Sequence, residues 1–143
     1  MKKFAIAALV LASAWSLQAA GKHAVIVQTN SAGDNIHLID PATNKIVGVI
    51  NGIEANHGAA VAPDGSRIYV SNEADSTLDF VDAKTLKVTH KVKLSAHPNN
   101  IAVAKDGKRV YVGIIQGLGG VDVIDTVTAT NVKTLQTHGS IHN

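Results

Sequence analysis

The residues of this 143-residue chain best suited to chemistry are histidines set among small polar residues. His57 stands in Asn56-His57-Gly58, His97 in His97-Pro98-Asn99-Asn100, and His138 in His138-Gly139. Imidazole is the commonest metal ligand and changes charge near neutral pH, so such residues could hold a metal, an anion or a cofactor. A second group, Glu73, Asp75 and Asp79, could attract a cation, although acidic residues this close in sequence read first as a solvated loop. Three further aspartates open copies of Asp-x-x-Thr, at Asp40, Asp82 and Asp125. Asp and Thr side chains hydrogen-bond backbone a few residues on, so a motif met three times between strand-like runs is turn chemistry rather than catalysis. The chain has no Gly-x-Ser-x-Gly and no His-Glu-x-x-His, and Gly117-Leu118-Gly119-Gly120 lacks the Lys-Ser/Thr of a phosphate loop. No catalytic residue and no particular cofactor follow from these residues, and no metal ligand set is assigned.

The elements that must position the histidines are repeated. Pro63-Asp64-Gly65-Ser66-Arg67-Ile68-Tyr69-Val70 returns forty-two positions on as Lys105-Asp106-Gly107-Lys108-Arg109-Val110-Tyr111-Val112. Each copy follows an apolar run and supplies Asp-Gly, a dipeptide suited to φ > 0 at both centres of a two-residue hairpin turn. The Asp-x-x-Thr copies recur at spacings of 42 and 43 residues, each between two further runs. One unit therefore holds four strands: A (58–62), B (67–71), C (77–81) and D (87–94). Four short strands in about 40–45 residues, repeated and without helical periodicity, predict β-propeller blades of four antiparallel strands. Strands A and B are runs of small apolar residues, as expected of a sheet covered on both faces. The D strands carry Lys45, Lys87, Lys91, Lys93 and Lys133, which suits an outer edge that must not pair with other chains.

Tyr69-Val70-Ser71-Asn72, the Pro-Asp-Gly-x-Arg turn before it, and Val81-Asp82-x-x-Thr85-x-x-Val88 after it resemble the YVTN-type β-propeller repeat of exported bacterial and archaeal proteins. The resemblance runs over about residues 23 to 136, with departures at Val27-Gln28-Thr29-Asn30 and Tyr111-Val112-Gly113-Ile114. It implies the fold, and it leaves function open because one architecture serves many activities. The units fall at 23–50, 51–94 and 95–136, and 137–143 resembles the start of another A strand. The first unit lacks its own A strand. That makes about two and three-quarter blades where closed propellers use ~4–8, so the chain reads as a fragment of a larger propeller. The alternative is a homodimer in which each tail supplies the missing strand to its partner and closes a ring.

Residues 1–20 read as a secretory signal peptide: Lys2 and Lys3, then an uncharged stretch, then Leu17-Gln18-Ala19-Ala20 with small residues for cleavage. The expected location is therefore the periplasm or outside the cell, with no lasting membrane span. The whole chain has 13 Lys+Arg and 11 Asp+Glu, and loss of Lys2 and Lys3 with the signal leaves the two signs equal. That balance argues against a nucleic-acid partner, which needs an electrostatic footprint. With no cysteine there is no disulfide and no covalent c-type heme attachment.

Alternating strand direction sorts the loops onto two faces. The A–B and C–D turns are tight and repetitive, whereas the B–C and D–A loops on the other face are longer and vary between units, which is where function concentrates on a rigid scaffold. Asn56, His57, His97, Asn99, Asn100 and His138 all belong to D–A loops, beside the innermost strands. They form the candidate ligand-binding set. By the repeat alignment His57 lies opposite Asn99 rather than His97, so the histidines do not share one equivalent position. Two functions are consistent with this. The first is a non-enzymatic exported module binding a protein or small molecule through its loop face. The second is a propeller domain of a periplasmic redox or metal-dependent enzyme with a histidine-lined hub, by analogy with redox propellers that hold copper or contact a d1-type heme there.

Overall fold

The computed structural model describes residues 24–141, and the expected signal peptide lies outside them. Eleven strands in these residues form three separate antiparallel sheets. The first sheet contains β1 (Ile26–Thr29), β2 (Asn35–Asp40) and β3 (Lys45–Asn51). The second runs β4 (Asn56–Val61), β5 (Arg67–Asn72), β6 (Thr77–Asp82), β7 (Val88–Lys93), in chain order. The third repeats it with β8 (Pro98–Val103), β9 (Arg109–Ile114), β10 (Gly120–Asp125) and β11 (Thr130–Gln136). No helix occurs among the described residues. The described residues form an all-β partial propeller, with two four-stranded blades and one three-stranded sheet.

The turns explain why the meander repeats. Asp82 Oδ1 accepts from the N–H groups of Lys84 and Thr85 at 3.1 and 2.7 Å and from Thr85 Oγ1 at 2.9 Å. Asp40 and Asp125 hold the same turn in the other blades. In all three the chain leaves through one left-handed residue: Asn44, Leu86 and Ala129 at φ 55, 58 and 52°. The A–B hairpins differ from the sequence expectation. Only Gly65 and Gly107 take positive φ there, not their aspartates. Gly65 N–H donates to Ala62 O at 2.8 Å and Ala62 N–H to Arg67 O at 2.9 Å, so the loop is longer than two residues. Pro63 supplies the fixed φ near −65° that suits the second position of such a turn, and glycine then takes the left-handed position.

Packing between blades uses alternate residues of each strand. Ile68, Val70 and Val81 of the second blade bury against Ile36, Leu38, Ile50 and Ile53 of the first. Tyr69, Leu78, Phe80 and Val92, on the opposite face, bury against Val110, Val112, Ile114 and Ile124 of the third. Tyr69 and Phe80 meet edge to face with centroids 4.9 Å apart, a geometry that adds about 0.5–1.5 kcal/mol to area burial. The middle blade is thus covered on both sides, which is why the centre of β5 and β6 is buried on both faces. On the outer side of the third blade, Tyr111 is 41% exposed, whereas Tyr69 at the same repeat position is 2% exposed.

The same alternation places an aspartate of each complete blade inside an interface. Asp79 and Asp122 both have no exposure. Asp122 accepts from Ser95 N at 2.7 Å, Ser95 Oγ at 3.0 Å and Thr134 Oγ1 at 2.6 Å, tying β10 and β11 to the β7–β8 loop. A buried carboxylate persists only with such partners.

Candidate functional site

The innermost strands of the second and third blades, β4 and β8, lie side by side, with β1 on the other flank of β4. Their first residues form the rim of the hub. At Gly58 the two backbones touch: a Cβ built there would lie 2.7 Å from Asn99 O and 3.0 Å from Asn100 Cα. This approach joins Asn56-His57 to His97 and the first residues of β8, Pro98 to Asn100.

Each candidate has a distinct place on that rim. His57 and His97 are exposed, and neither imidazole is engaged in a hydrogen bond among the described residues. The backbone of His97 is fixed, because its carbonyl accepts from Ile115 N at 3.0 Å. Ala55, at the equivalent position of the second blade, is fixed in the same way by Glu73 N at 3.2 Å. Asn99 is buried and Asn100 half-buried at the start of β8. Asn56 is fully buried and its amide is used up internally: Oδ1 accepts from Asn30 N at 2.7 Å, while Nδ2 donates to Ile53 O at 2.8 Å and Asn35 O at 3.1 Å. It holds the rim together and has no polar atom left for a ligand. His138 is exposed, with φ 56°, in the segment after β11. That segment reaches the next position round the hub, where Ser140 Oγ donates to Ile115 O at 2.8 Å. No three His, Asp or Glu side chains converge as a metal-holding group among the described residues, so the histidines form a rim and not one coordination sphere.

The acidic group is neutralised from within. Lys91 Nζ lies 2.6 Å from Asp75 Oδ2 and 3.5 Å from Asp79 Oδ2. Lys93 Nζ donates to Asp75 O at 2.7 Å. The hydrogen bond from Lys91 holds the Asp75 carboxyl below the usual carboxylate range and in turn raises the Lys91 ammonium. Asp79 also accepts from Thr77 Oγ1 at 2.5 Å and Asn72 Nδ2 at 3.2 Å. This is a tied loop rather than a cation trap, and it explains two of the outer-edge lysines. Cations elsewhere sit on the turn face: Arg67 Nη1 donates to Thr126 O at 2.9 Å, bridging the second and third blades.

Two elements of the site were not singled out from the sequence. Asp122 could have been found by aligning it with Asp79 in the repeat. Ser71, which is fully buried beneath the rim and bonded to both hub strands, lay inside a repeat motif whose residues all looked structural.

The family model for the cytochrome D1 heme domain matches residues 20–143. No curated protein matches the chain. Among solved structures, hydrazine synthase of Kuenenia stuttgartiensis is similar with a TM-score of 0.76 at 25% identity, over 81% of this chain and 34% of that one. The dihydro-heme d1 dehydrogenase NirN in complex with DHE matches with a TM-score of 0.64 at 24% identity, over 78% of this chain and 24% of that one. Apo AztD from Citrobacter koseri matches with a TM-score of 0.67 at 21% identity, over 83% and 33%. The last two show the fold alone. The chain therefore spans between about a quarter and a third of each of these proteins. The resemblance to YVTN-type repeats holds at the level of the propeller, and the family that matches is a different one.

Proposed function

Since the chain belongs to the cytochrome D1 heme domain family, we propose that it is part of an exported redox propeller whose hub rim takes a d1-type tetrapyrrole. Of the two functions drawn from the sequence, this is the second, the redox propeller with a histidine-lined hub. The observation that carries it is the pair His57 and His97: exposed imidazoles, unspent on the protein, at the adjoining starts of two neighbouring hub strands. The donor set suits the group. Imidazole nitrogen is a common ligand of heme iron, and the backbone beside each histidine is held by hydrogen bonds of the blade. His57 and His97 would hold the iron, Asn99 and Asn100 would shape the rim beside them, and Asn56 braces it from below. When bound, the tetrapyrrole supplies the one-electron chemistry, and the protein contributes orientation and electrostatics. The described hub residues offer imidazole groups but no cation, because Lys91 and Lys93 are tied to Asp75 and the arginines lie on the turn face. This segment therefore presents the iron-facing groups rather than counter-charges for the macrocycle's carboxylates. The likeness to hydrazine synthase supports a redox setting, and the charge pattern of residues 1–20 supports export.

Hemin, a commercially available iron tetrapyrrole, tests the reading. Titrated into the full chain, it should bind saturably with a Soret band shifted as imidazole coordinates. His57→Ala combined with His97→Ala should weaken binding at least about tenfold, or roughly 1.4 kcal/mol. Absence of saturable binding, or a double variant that binds like the parent, would overturn it.

A further inference from the structure

One hydroxyl holds the two hub strands in register. The ladder of β4 on β5 slips between Asn56 and Ala59, and that of β8 on β9 between Pro98 and Ile101. These irregularities release backbone groups at the base of the rim, which then need other partners. Gly58 N–H donates to Ser71 Oγ at 2.7 Å, and the same oxygen lies 2.6 Å from Asn99 O. A hydroxyl has one proton to give. Gly58 O also lies within reach at 3.4 Å, but Asn99 O is far nearer, so the proton goes to β8 and the relay runs from Gly58 through Ser71 to Asn99. The residues on either side of it are His57 and the stretch from His97 to Asn100, where β8 begins. At the equivalent place in the third blade stands Gly113, which carries no hydroxyl and is approached instead by Ile141.

We propose that Ser71 is a positioning residue for the hub rim. Its hydroxyl sets the offset between the starts of β4 and β8, and through them the placement of His57 relative to His97 and the start of β8. It touches no ligand itself. The inference rests on the hub-rim reading above, since a fixed offset matters for binding only when one ligand spans both strands. Truncation to alanine would leave Gly58 N–H and Asn99 O without partners in a buried place and free the two strands to slide. Threonine would keep the hydroxyl.

The test uses the full chain, Ser71→Ala and Ser71→Thr, with hemin titration followed at the Soret band and amide hydrogen exchange measured at Gly58 in the same samples. Ser71→Ala should exchange Gly58 at least about tenfold faster and bind hemin about tenfold more weakly, on the scale of one lost buried hydrogen bond. Ser71→Thr should stay within about twofold of the parent in both. Should the alanine variant not fold, Ser71→Cys, which keeps the side chain's shape but is a weak donor and acceptor, gives the same comparison. Parent-like hemin affinity in Ser71→Ala, or unchanged protection of Gly58, would overturn the inference alone. If the parent chain shows no saturable binding, the hub-rim reading falls and takes this role of Ser71 with it.

Discussion

Replacing Asn56 should detach the first blade from the second. Its side chain is fully buried and makes three hydrogen bonds, to Asn30 N, Ile53 O and Asn35 O, all of which cross from the β1–β2 sheet or the β3–β4 loop to β4. Each such bond is worth about 0.5–1.5 kcal/mol net, and a backbone group left buried without a partner costs about 1–3 kcal/mol. Asn56→Ala removes three bonds at once, although the freed carbonyls of a rim position regain some water. A loss of roughly 3 kcal/mol follows, a large share of the ~5–15 kcal/mol that holds a typical domain. With a urea m-value of about 2 kcal/mol/M the midpoint falls by roughly 1.5 M. Asn56→Asp separates hydrogen bonding from shape. It keeps the acceptor for Asn30 N–H but turns a carboxylate oxygen toward two carbonyls, so at neutral pH it should be at least as damaging as alanine. On acidification a protonated carboxyl can donate to one of those carbonyls, and part of the loss should return. Urea titrations followed by circular dichroism, with hydrogen exchange at β2 and β3, would show whether the first blade opens ahead of the others. A loss below about 0.5 kcal/mol for Asn56→Ala, or a milder effect for Asn56→Asp at neutral pH, would refute the reasoning, since surface positions free of such bonds change stability by no more than that.

Two further outcomes concern the same scaffold. Gly58→Ala should destabilise by about 1–3 kcal/mol, because the added methyl meets the Asn99 carbonyl of β8 and not a movable side chain; a thermal melt checks it, and an unchanged Tm would show that the hub strands can part. Acid sensitivity should come from the turns. The carboxyls of Asp64, Asp82 and Asp125 lie below the ordinary value of 3.8, chiefly through the N–H groups of Ser66, Thr85 and Thr128. A depressed folded pKa means that the unfolded chain binds protons first, so this contribution is complete above about pH 5 and is lost as pH falls through 3.8 and then through the folded values. Asp82→Asn together with Asp125→Asn should flatten the decline of Tm between pH 5 and pH 3, and an equally steep decline would place the acid-sensitive groups elsewhere.

The blade was legible because its determinants are local and repeated. Asp40, Asp82 and Asp125 each organise a turn within four residues, so the spacing of the motif gave the strand count and the face on which each loop lies. The turn at Asp64-Gly65 differs in type from the expectation, since Asp-Gly also serves loops in which glycine alone is left-handed, and the third blade makes the same turn with Lys105 in place of Pro63. The rim was harder to read, because its geometry depends on groups distant in sequence. Asn56 looks like a loop residue beside a histidine, and only the arrival of Asn30 and Asn35 from the preceding blade shows that its amide is already committed. His57 and His97 occupy non-equivalent repeat positions, yet the approach of β4 to β8 at Gly58 brings them onto one rim. Position in the repeat therefore places a residue on a face, while its availability to a ligand depends on which neighbours the adjoining blade delivers. Ser71 illustrates the same rule from the other side: its place in the repeat marks it as part of a strand, and the bulges of two other strands give its hydroxyl a task that the repeat alone does not encode.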